Sequence, residues 1–369
     1  MNKTFLLVLG TRPEAIKLAP VHAALCRRFG RDRVKLLATG QHPDLARLAL
    51  QDFDIAIDEC LEAPSAGGLS VRSAWMLDRL GGLLDDAVHS HVVVQGDTST
   101  AFMGALAAFN ARIPVVHVEA GLRTYDLQAP FPEEANRRLI APLADICFAP
   151  TERAAENLRS ERIPAQRIEV VGNTVVDAIE QLRPRFEGAW PAASPGVRRI
   201  AVTLHRREAW GAPLQAICEG LAGLCRRRSD VELVLPVHPN PAVGDIVRTA
   251  FAGVPNAELV DPLGFVAMQS LLSTSTLLVT DSGGLQEEAP SHGVPVLVTR
   301  EATERVEAVE AGTARLVGLD AARLVTAAEE LLDDEAARRA MVRDGNPFGD
   351  GHAAERIVAR LAADRAETA

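Results

Sequence analysis

The chain has 369 residues, 47% of them hydrophobic, and carries a formal net charge of −10. That length exceeds what one core can organise and fits two domains of roughly 150 to 190 residues, while the acidic balance excludes a general nucleic-acid or membrane-surface binder, whose polyanionic partner needs a basic face. The five cysteines are scattered, with no Cys-x-x-Cys spacing, so neither a disulfide framework nor a zinc site is implied and a reduced cytoplasm is the simplest setting.

Residues 5–9 are apolar but run straight into Gly10-Thr-Arg-Pro-Glu14, with no small-residue cleavage site, and read as a first strand rather than a leader. No segment is long enough to span a bilayer. Short apolar runs then alternate with longer amphipathic stretches, the pattern of parallel strands joined by helices. The first half predicts strands at 4–9, 34–39, 91–95, 114–119, 145–149 and 168–171. Residues 187–197, rich in Pro, Gly and small side chains, read as a linker. The alternation restarts with strands at 199–204, 231–236, 257–260, 276–280 and 295–298. The expected architecture is α/β, with two doubly wound Rossmann-like domains at 1–186 and 198–348 and a C-terminal helical segment at 349–369 that can cross back to the first. Ligands of such sheets bind at the carboxyl ends of the strands, which makes a cleft between the domains the expected site.

Gly10-Thr-Arg-Pro-Glu-Ala-Ile-Lys17 follows the first predicted strand directly. Gly10 permits a tight turn, and Pro13 suits a first helical turn, where its missing N–H would be unpaired in any case. Arg12 then stands at a helix N-terminus, able to meet an anion together with free backbone amides. The same pattern also fits an ordinary turn with a solvated arginine. It is not the three-glycine dinucleotide fingerprint.

Asp97, in Gln95-Gly-Asp-Thr98, fits either a helix N-cap or a catalytic acid. Glu119, in His117-Val-Glu-Ala-Gly-Leu-Arg123, ends a predicted buried strand, where a carboxylate is costly without a role. Glu133 and Glu134, in Pro130-Phe-Pro-Glu-Glu-Ala-Asn-Arg137, can open a helix, whose dipole favours acids. Further on, Ser282-Gly283-Gly284 follows an apolar run and precedes a helix, so its backbone can approach a diphosphate. Glu288, one helical turn beyond, can accept the hydroxyls of a ribose or simply face solvent. His205, in His205-Arg-Arg-Glu208, ends the first strand of the second domain beside two arginines and points toward an anion or a leaving group. His238 is a second-rank candidate without a neighbouring charge partner. Carboxylates do not bind phosphate, so Asp97, Glu119 and Glu133 opposite a phosphate turn point to proton transfer on something tethered to phosphate.

At these residues the chain resembles the non-hydrolysing UDP-N-acetylglucosamine 2-epimerases. The likeness runs nearly end to end, through Gly10-Thr-Arg-Pro-Glu-Ala-Ile-Lys17, Gly96-Asp-Thr98, His117-Val-Glu-Ala-Gly-Leu-Arg-Thr124, Pro132-Glu-Glu-Ala-Asn-Arg137 and Gly172-Asn-Thr174. It continues through His205-Arg-Arg-Glu208, Asp281-Ser-Gly-Gly-Leu-Gln-Glu-Glu288, Thr303-Glu-Arg305 and Asn346-Pro-Phe-Gly-Asp-Gly351. The resemblance implies the glycosyltransferase-B fold, UDP on the second domain with the sugar toward the first, and a homodimer. It implies reversible C2 epimerisation of UDP-N-acetylglucosamine to UDP-N-acetylmannosamine for cell-surface polysaccharide. The route is elimination of UDP to a glycal and re-addition, with no cofactor and no metal.

By the same resemblance Asp97, Glu119 and Glu133 match the family's acidic catalytic residues and His205 its histidine near the departing diphosphate. Arg12, Ser282, Gly283, Gly284, Glu288 and Arg305 match UDP ligands, and Lys17 a lysine of the site. Gln41 and His42 fall where bacterial relatives contact a second, activating UDP-N-acetylglucosamine, but Pro43 and Asp44 depart from the family's pattern there, as does Val306 where the family usually has proline. Relatives that epimerise UDP-linked diacetamido uronic acids, and transferases of the same fold, are the alternatives left open.

Overall fold

Thr4–Leu9 forms β1, and every residue after the first is buried. Apolar side chains on both faces are what a central parallel strand requires, because helices cover such a sheet on both sides. The structure, a computed structural model, describes residues 3–41, 43–64, 66–85 and 89–367. The chain divides into two compact units, one made of residues up to Gln181 together with those from Phe348 onward, the other of Leu182–Pro347.

In the first unit β1 is joined by β2 (Val34–Ala38), β3 (Glu59–Cys60), β4 (His89–Gln95), β5 (Val115–Val118), β6 (Ile146–Ala149) and β7 (Ile168–Val170). The sheet order is β3-β2-β1-β4-β5-β6-β7, and the pairings are parallel. This is the doubly wound order, whose winding reverses between β1 and β4. Leu6, Val8, Val92 and Val94 pack with Ala101, Ala105 and Ala108 of the helix Ser99–Asn110 in one core. The helix Ala353–Glu367 also belongs to this unit. Asp177 accepts the amides of Ala354 at 2.8 Å and Ala353 at 3.2 Å, satisfying two donors that a helix start leaves open.

The second unit contains β8 (Arg198–Thr203), β9 (Val231–Pro236), β10 (Ala257–Val260), β11 (Leu277–Thr280), β12 (Val296–Val298) and β13 (Ala314–Leu316). Their order is β10-β9-β8-β11-β12-β13, again parallel, with the reversal between β8 and β11. Ile200, Val202, Leu221, Leu233, Val279 and Leu331 are among its buried core. Residues 187–197 lie within this unit. There the Trp190 amide donates to Ser270 Oγ at 2.9 Å, and Arg199 Nη1 donates to the Pro191 carbonyl at 2.6 Å.

Each half is thus the α/β sheet that the alternation predicts. The two strands absent from the prediction, β3 and β13, are edge strands of two and three residues. Among the described residues no helix is long and apolar enough to cross a membrane.

Candidate active site

In the first unit the candidate residues leave β1, β4 and β5, the three strands around the reversal of winding, where open α/β sheets bind ligands. Arg12, half-buried, is the first residue of the helix Arg12–Phe29. Glu14, buried in its first turn, accepts the Gly10 amide at 2.9 Å, the Thr11 amide at 2.7 Å, the Thr11 hydroxyl at 2.8 Å and the Thr98 hydroxyl at 2.6 Å. Burial pushes the Glu14 carboxyl above its ordinary value, against the pull of those donors. Glu14 therefore ties the turn that carries Arg12 to the turn that carries Asp97; the Thr11-x-x-Glu14 spacing is a capping-box signature for its hold on Thr11, while nothing local marks its link to Thr98.

Lys17, further along the same helix, is buried and donates to Glu119 Oε2 at 2.7 Å. Gln95 Nε2 donates to the same oxygen. Glu119 follows β5 with φ at 64°, a left-handed conformation that costs a non-glycine residue on the order of 1 kcal/mol and persists where the surroundings over-determine it. Lys17 and Gln95 supply that determination. Gln95 and Val118 are opposed on β4 and β5, so Asp97 and Glu119 follow adjacent strands at nearly the same level.

Asp97 Oδ2 accepts from Arg137 Nη2 at 2.5 Å, and its carbonyl accepts from Asn136 Nδ2 at 2.8 Å. Both partners lie on the helix Glu133–Leu143. Its N-terminal neighbour Gly96 takes φ 70°, and the Gly96 carbonyl lies 2.7 Å from His117 Nε2. Burial drives the His117 imidazole down to about 4; the ring is neutral near pH 7 and its proton sits on Nε2, since a carbonyl can only accept. The helix Ser99–Asn110 is capped by Thr98, whose hydroxyl oxygen accepts the Ala101 amide at 3.0 Å. The N-cap alternative for Asp97 is thereby removed.

Glu134 is fully buried and accepts the amides of Thr124 at 3.0 Å and Tyr125 at 3.1 Å, with Arg137 Nη1 at 3.4 Å. Its neighbour Glu133, half-buried at the helix start, has none of these duties. Gln41 Oε1 accepts from Thr100 Oγ1 at 3.1 Å. His42, the other residue of the expected effector contact, lies outside the described residues.

In the second unit His205 follows β8 and Asp281 follows β11, its neighbour. Asp281 Oδ2 accepts the amides of His205 and Arg206, each at 2.8 Å, and His205 Nδ1 lies 2.8 Å from Oδ1. Burial works to raise the Asp281 carboxyl, but the imidazole and the two amides outweigh it and hold the group below its ordinary value. The rings of His205 and His238 stack with centroids 6.3 Å apart. Burial, helped by His205, lowers the His238 imidazole.

Ser282 leads into the short helix Gly283–Glu288. A Cβ on Gly283 would stand 3.1 Å from Arg305 Cζ, and one on Gly284 would stand 3.2 Å from Glu288 Oε1. The paired glycines are what let an arginine and a carboxylate close over this turn. Arg305 donates to Glu287 at 2.8 Å and to Glu304 at 2.6 Å. Burial opposes ionisation of Glu304, but Arg305 and Arg300 bring it down to about 2. Thr303 Oγ1 donates to Gln286 Oε1 at 2.8 Å and Gln286 Nε2 to the Ser282 carbonyl at 3.0 Å, pinning the arginine loop to the glycine turn. The sequence motifs contain Asp281, Gln95 and Arg137 but do not mark them as partners of His205, Glu119 and Asp97.

The sequence profile of the family described as UDP-N-acetylglucosamine 2-epimerase matches residues 26–362. The UDP-N-acetylglucosamine 2-epimerase of Escherichia coli is 44% identical over 98% of both chains. The crystal structure of UDP-GlcNAc 2-epimerase from Neisseria meningitidis bound to UDP-GlcNAc is similar with a TM-score of 0.91 at 38% identity, covering 97% of this chain and 99% of that one. The UDP-GlcNAc 2-epimerase of Methanocaldococcus jannaschii, solved with UDP-GlcNAc and UDP, gives a TM-score of 0.80 at 32% identity, covering 97% and 99%.

Proposed function

The chain belongs to the UDP-N-acetylglucosamine 2-epimerase family and is an enzyme of that kind, and from this premise we propose that it interconverts UDP-N-acetylglucosamine and UDP-N-acetylmannosamine by eliminating UDP and adding it back. A carboxylate removes the C2 proton while the bond between C1 and the diphosphate oxygen breaks. The C–H electron pair becomes the C1=C2 double bond of a glycal, and the C1–O pair leaves with UDP. In the return step that oxygen re-forms its bond to C1 and a carboxyl group delivers a proton to C2 from the opposite face. The carbon skeleton is neither oxidised nor reduced.

The observation that carries this reading is that Asp97 and Glu119 follow adjacent strands, each held by its own cation, Arg137 and Lys17. Fixed carboxylates suit proton transfer on defined faces of a sugar ring. Glu133, beside the structural Glu134, is the third acid. His205, oriented by Asp281, and Arg12 and Arg305 suit the charge that develops on the departing diphosphate. Ser282, Gly283 and Gly284 offer backbone amides to the diphosphate, and Glu288 accepts the ribose hydroxyls. The family supports a homodimer working in the cytoplasm to supply sugar for surface polysaccharide; sedimentation velocity tests the first part.

The deciding experiment is proton NMR of the purified protein with UDP-N-acetylglucosamine in heavy water. The expected spectrum shows UDP-N-acetylmannosamine, with deuterium at C2 of both sugars. A product that keeps its C2 proton rules out elimination, and an unchanged substrate rules out this sugar.

A further inference from the structure

Glu288 does not set its own orientation. Gln269, fully buried in the helix Phe265–Ser273, donates through Nε2 to Glu288 Oε2 at 2.5 Å, and its Oε1 lies 2.8 Å from His292 Nε2. The chemistry of the three groups fixes the direction of this chain. A carboxylate accepts, so the Gln269 nitrogen faces Glu288 and its oxygen faces the imidazole. That oxygen also accepts, so the His292 proton sits on Nε2.

The far end of the chain is anchored. The His292 ring lies 5.8 Å from that of Phe186. Asn346 Nδ2 donates to the Glu287 carbonyl at 2.7 Å and to Ser291 Oγ at 2.8 Å, holding the segment between Glu288 and His292 from outside. Ser270, next to Gln269, donates to the Phe186 carbonyl at 2.6 Å. At the near end the two Glu288 oxygens divide their work: Oε2 faces Gln269, while Oε1 lies over the Gly284 turn.

We propose that His292 and Gln269 are positioning residues for ribose recognition, holding the Glu288 carboxylate so that Oε1 meets a sugar hydroxyl of the nucleoside diphosphate. The inference rests on Glu288 being the ribose ligand. Without the His292 donor the Gln269 oxygen is buried and unpaired, a costly state. Relief then requires the Gln269 side chain to shift toward another donor, and that shift loosens its hold on Glu288 Oε2.

Calorimetric titration with UDP, 2′-deoxy-UDP and 3′-deoxy-UDP tests this in the wild type and in Glu288→Ala, Gln269→Leu, His292→Leu and His292→Gln. A hydrogen bond to a charged group discriminates roughly tenfold or more, so the wild type prefers UDP by that ratio over at least one deoxy ligand. Gln269→Leu and His292→Leu are expected to bring the ratio below roughly threefold on the same scale. His292→Gln, whose Nε2 can take the place of the imidazole Nε2, is expected to restore it. If Glu288→Ala loses the preference while Gln269→Leu and His292→Leu keep it, the relay is wrong and the ribose reading stands. If His292→Gln behaves like His292→Leu, packing rather than the donor explains the effect and the relay falls. If Glu288→Ala keeps the wild-type ratio, the ribose reading fails and the inference with it.

Discussion

Lys17 Nζ lies 2.7 Å from Glu119 Oε2, both side chains are buried, and Glu119 is held at φ 64°. Removing one member of a buried ion pair leaves the other charge desolvated and costs about 3 to 5 kcal/mol, whereas removing both costs less than the sum. Lys17→Met is therefore expected to destabilise the protein by that order. The double variant Lys17→Met/Glu119→Gln should recover part of the loss. Urea unfolding of the wild type, Lys17→Met, Glu119→Gln and the double variant gives the coupling energy, and additive effects would show that the pair is not a unit.

Adjacent acids should separate by phenotype. Glu134 is buried and holds the Thr124 and Tyr125 amides, while Glu133 does not. Glu133→Gln is expected to lower kcat by roughly 10²- to 10⁴-fold, the usual reach of general acid/base catalysis, with an unchanged unfolding midpoint. Glu134→Ala should instead destabilise by about 1 to 3 kcal/mol through its orphaned amides. Steady-state kinetics beside thermal melts decide this, and equal loss of turnover with no loss of stability in both variants would count against it.

The glycine turn offers a case in which stability and affinity part. Neither Gly283 nor Gly284 needs a left-handed backbone, and both lie in a short helix, where alanine is favoured over glycine by about 0.5 to 1 kcal/mol. Yet a Cβ at either position presses on Arg305 or on Glu288. Gly283→Ala and Gly284→Ala are expected to keep or slightly raise the unfolding midpoint while weakening UDP by about tenfold, or 1.4 kcal/mol. Equal UDP affinity by calorimetry would mean that the turn does not approach the ligand.

How much of this was legible in the sequence depended on the range of the interaction. Alternating apolar runs marked eleven of the strands, because a buried parallel strand writes itself into consecutive residues. They missed β3, whose two residues are both exposed, and β13, an edge strand of three residues with Arg315 at its centre. The motifs placed Asp97, Glu119 and His205 at strand ends, where such sheets bind ligands. Their partners were beyond reach. Lys17 and Glu119 are 102 positions apart and His205 and Asp281 are 76 apart, and no local period links residues that only the sheet order brings together. The contrast between Glu133 and Glu134 was illegible for another reason. Consecutive helical side chains point about 100° apart, so one faces the core and the next does not, and only the tertiary environment decides which.

Two buried histidines set the expected response to acid. Burial lowers both His22 and His117 from about 6.5 to about 4. Their folded pKa lies below the unfolded one, so the stability they contribute is complete above about pH 6.5 and is lost as pH falls toward 4. Between those limits unfolding takes up a proton at each ring, a slope of about 1.4 kcal/mol per pH unit for each histidine. Asp281 works in the same sense but lower, its contribution being lost below about 3.8. Glu14, raised by burial, opposes the trend, since acid relieves its buried charge. Carboxylates also bend the wild-type curve, so the readout is a difference between proteins. His117→Gln can keep a donor for the Gly96 carbonyl but cannot titrate. Its unfolding free energy is expected to fall less steeply than that of the wild type between about pH 6.5 and 4.5, by about 1.4 kcal/mol per unit. Parallel curves across that window would mean that His117 is protonated in the folded protein, and that the turn carrying Asp97 is held by an imidazolium.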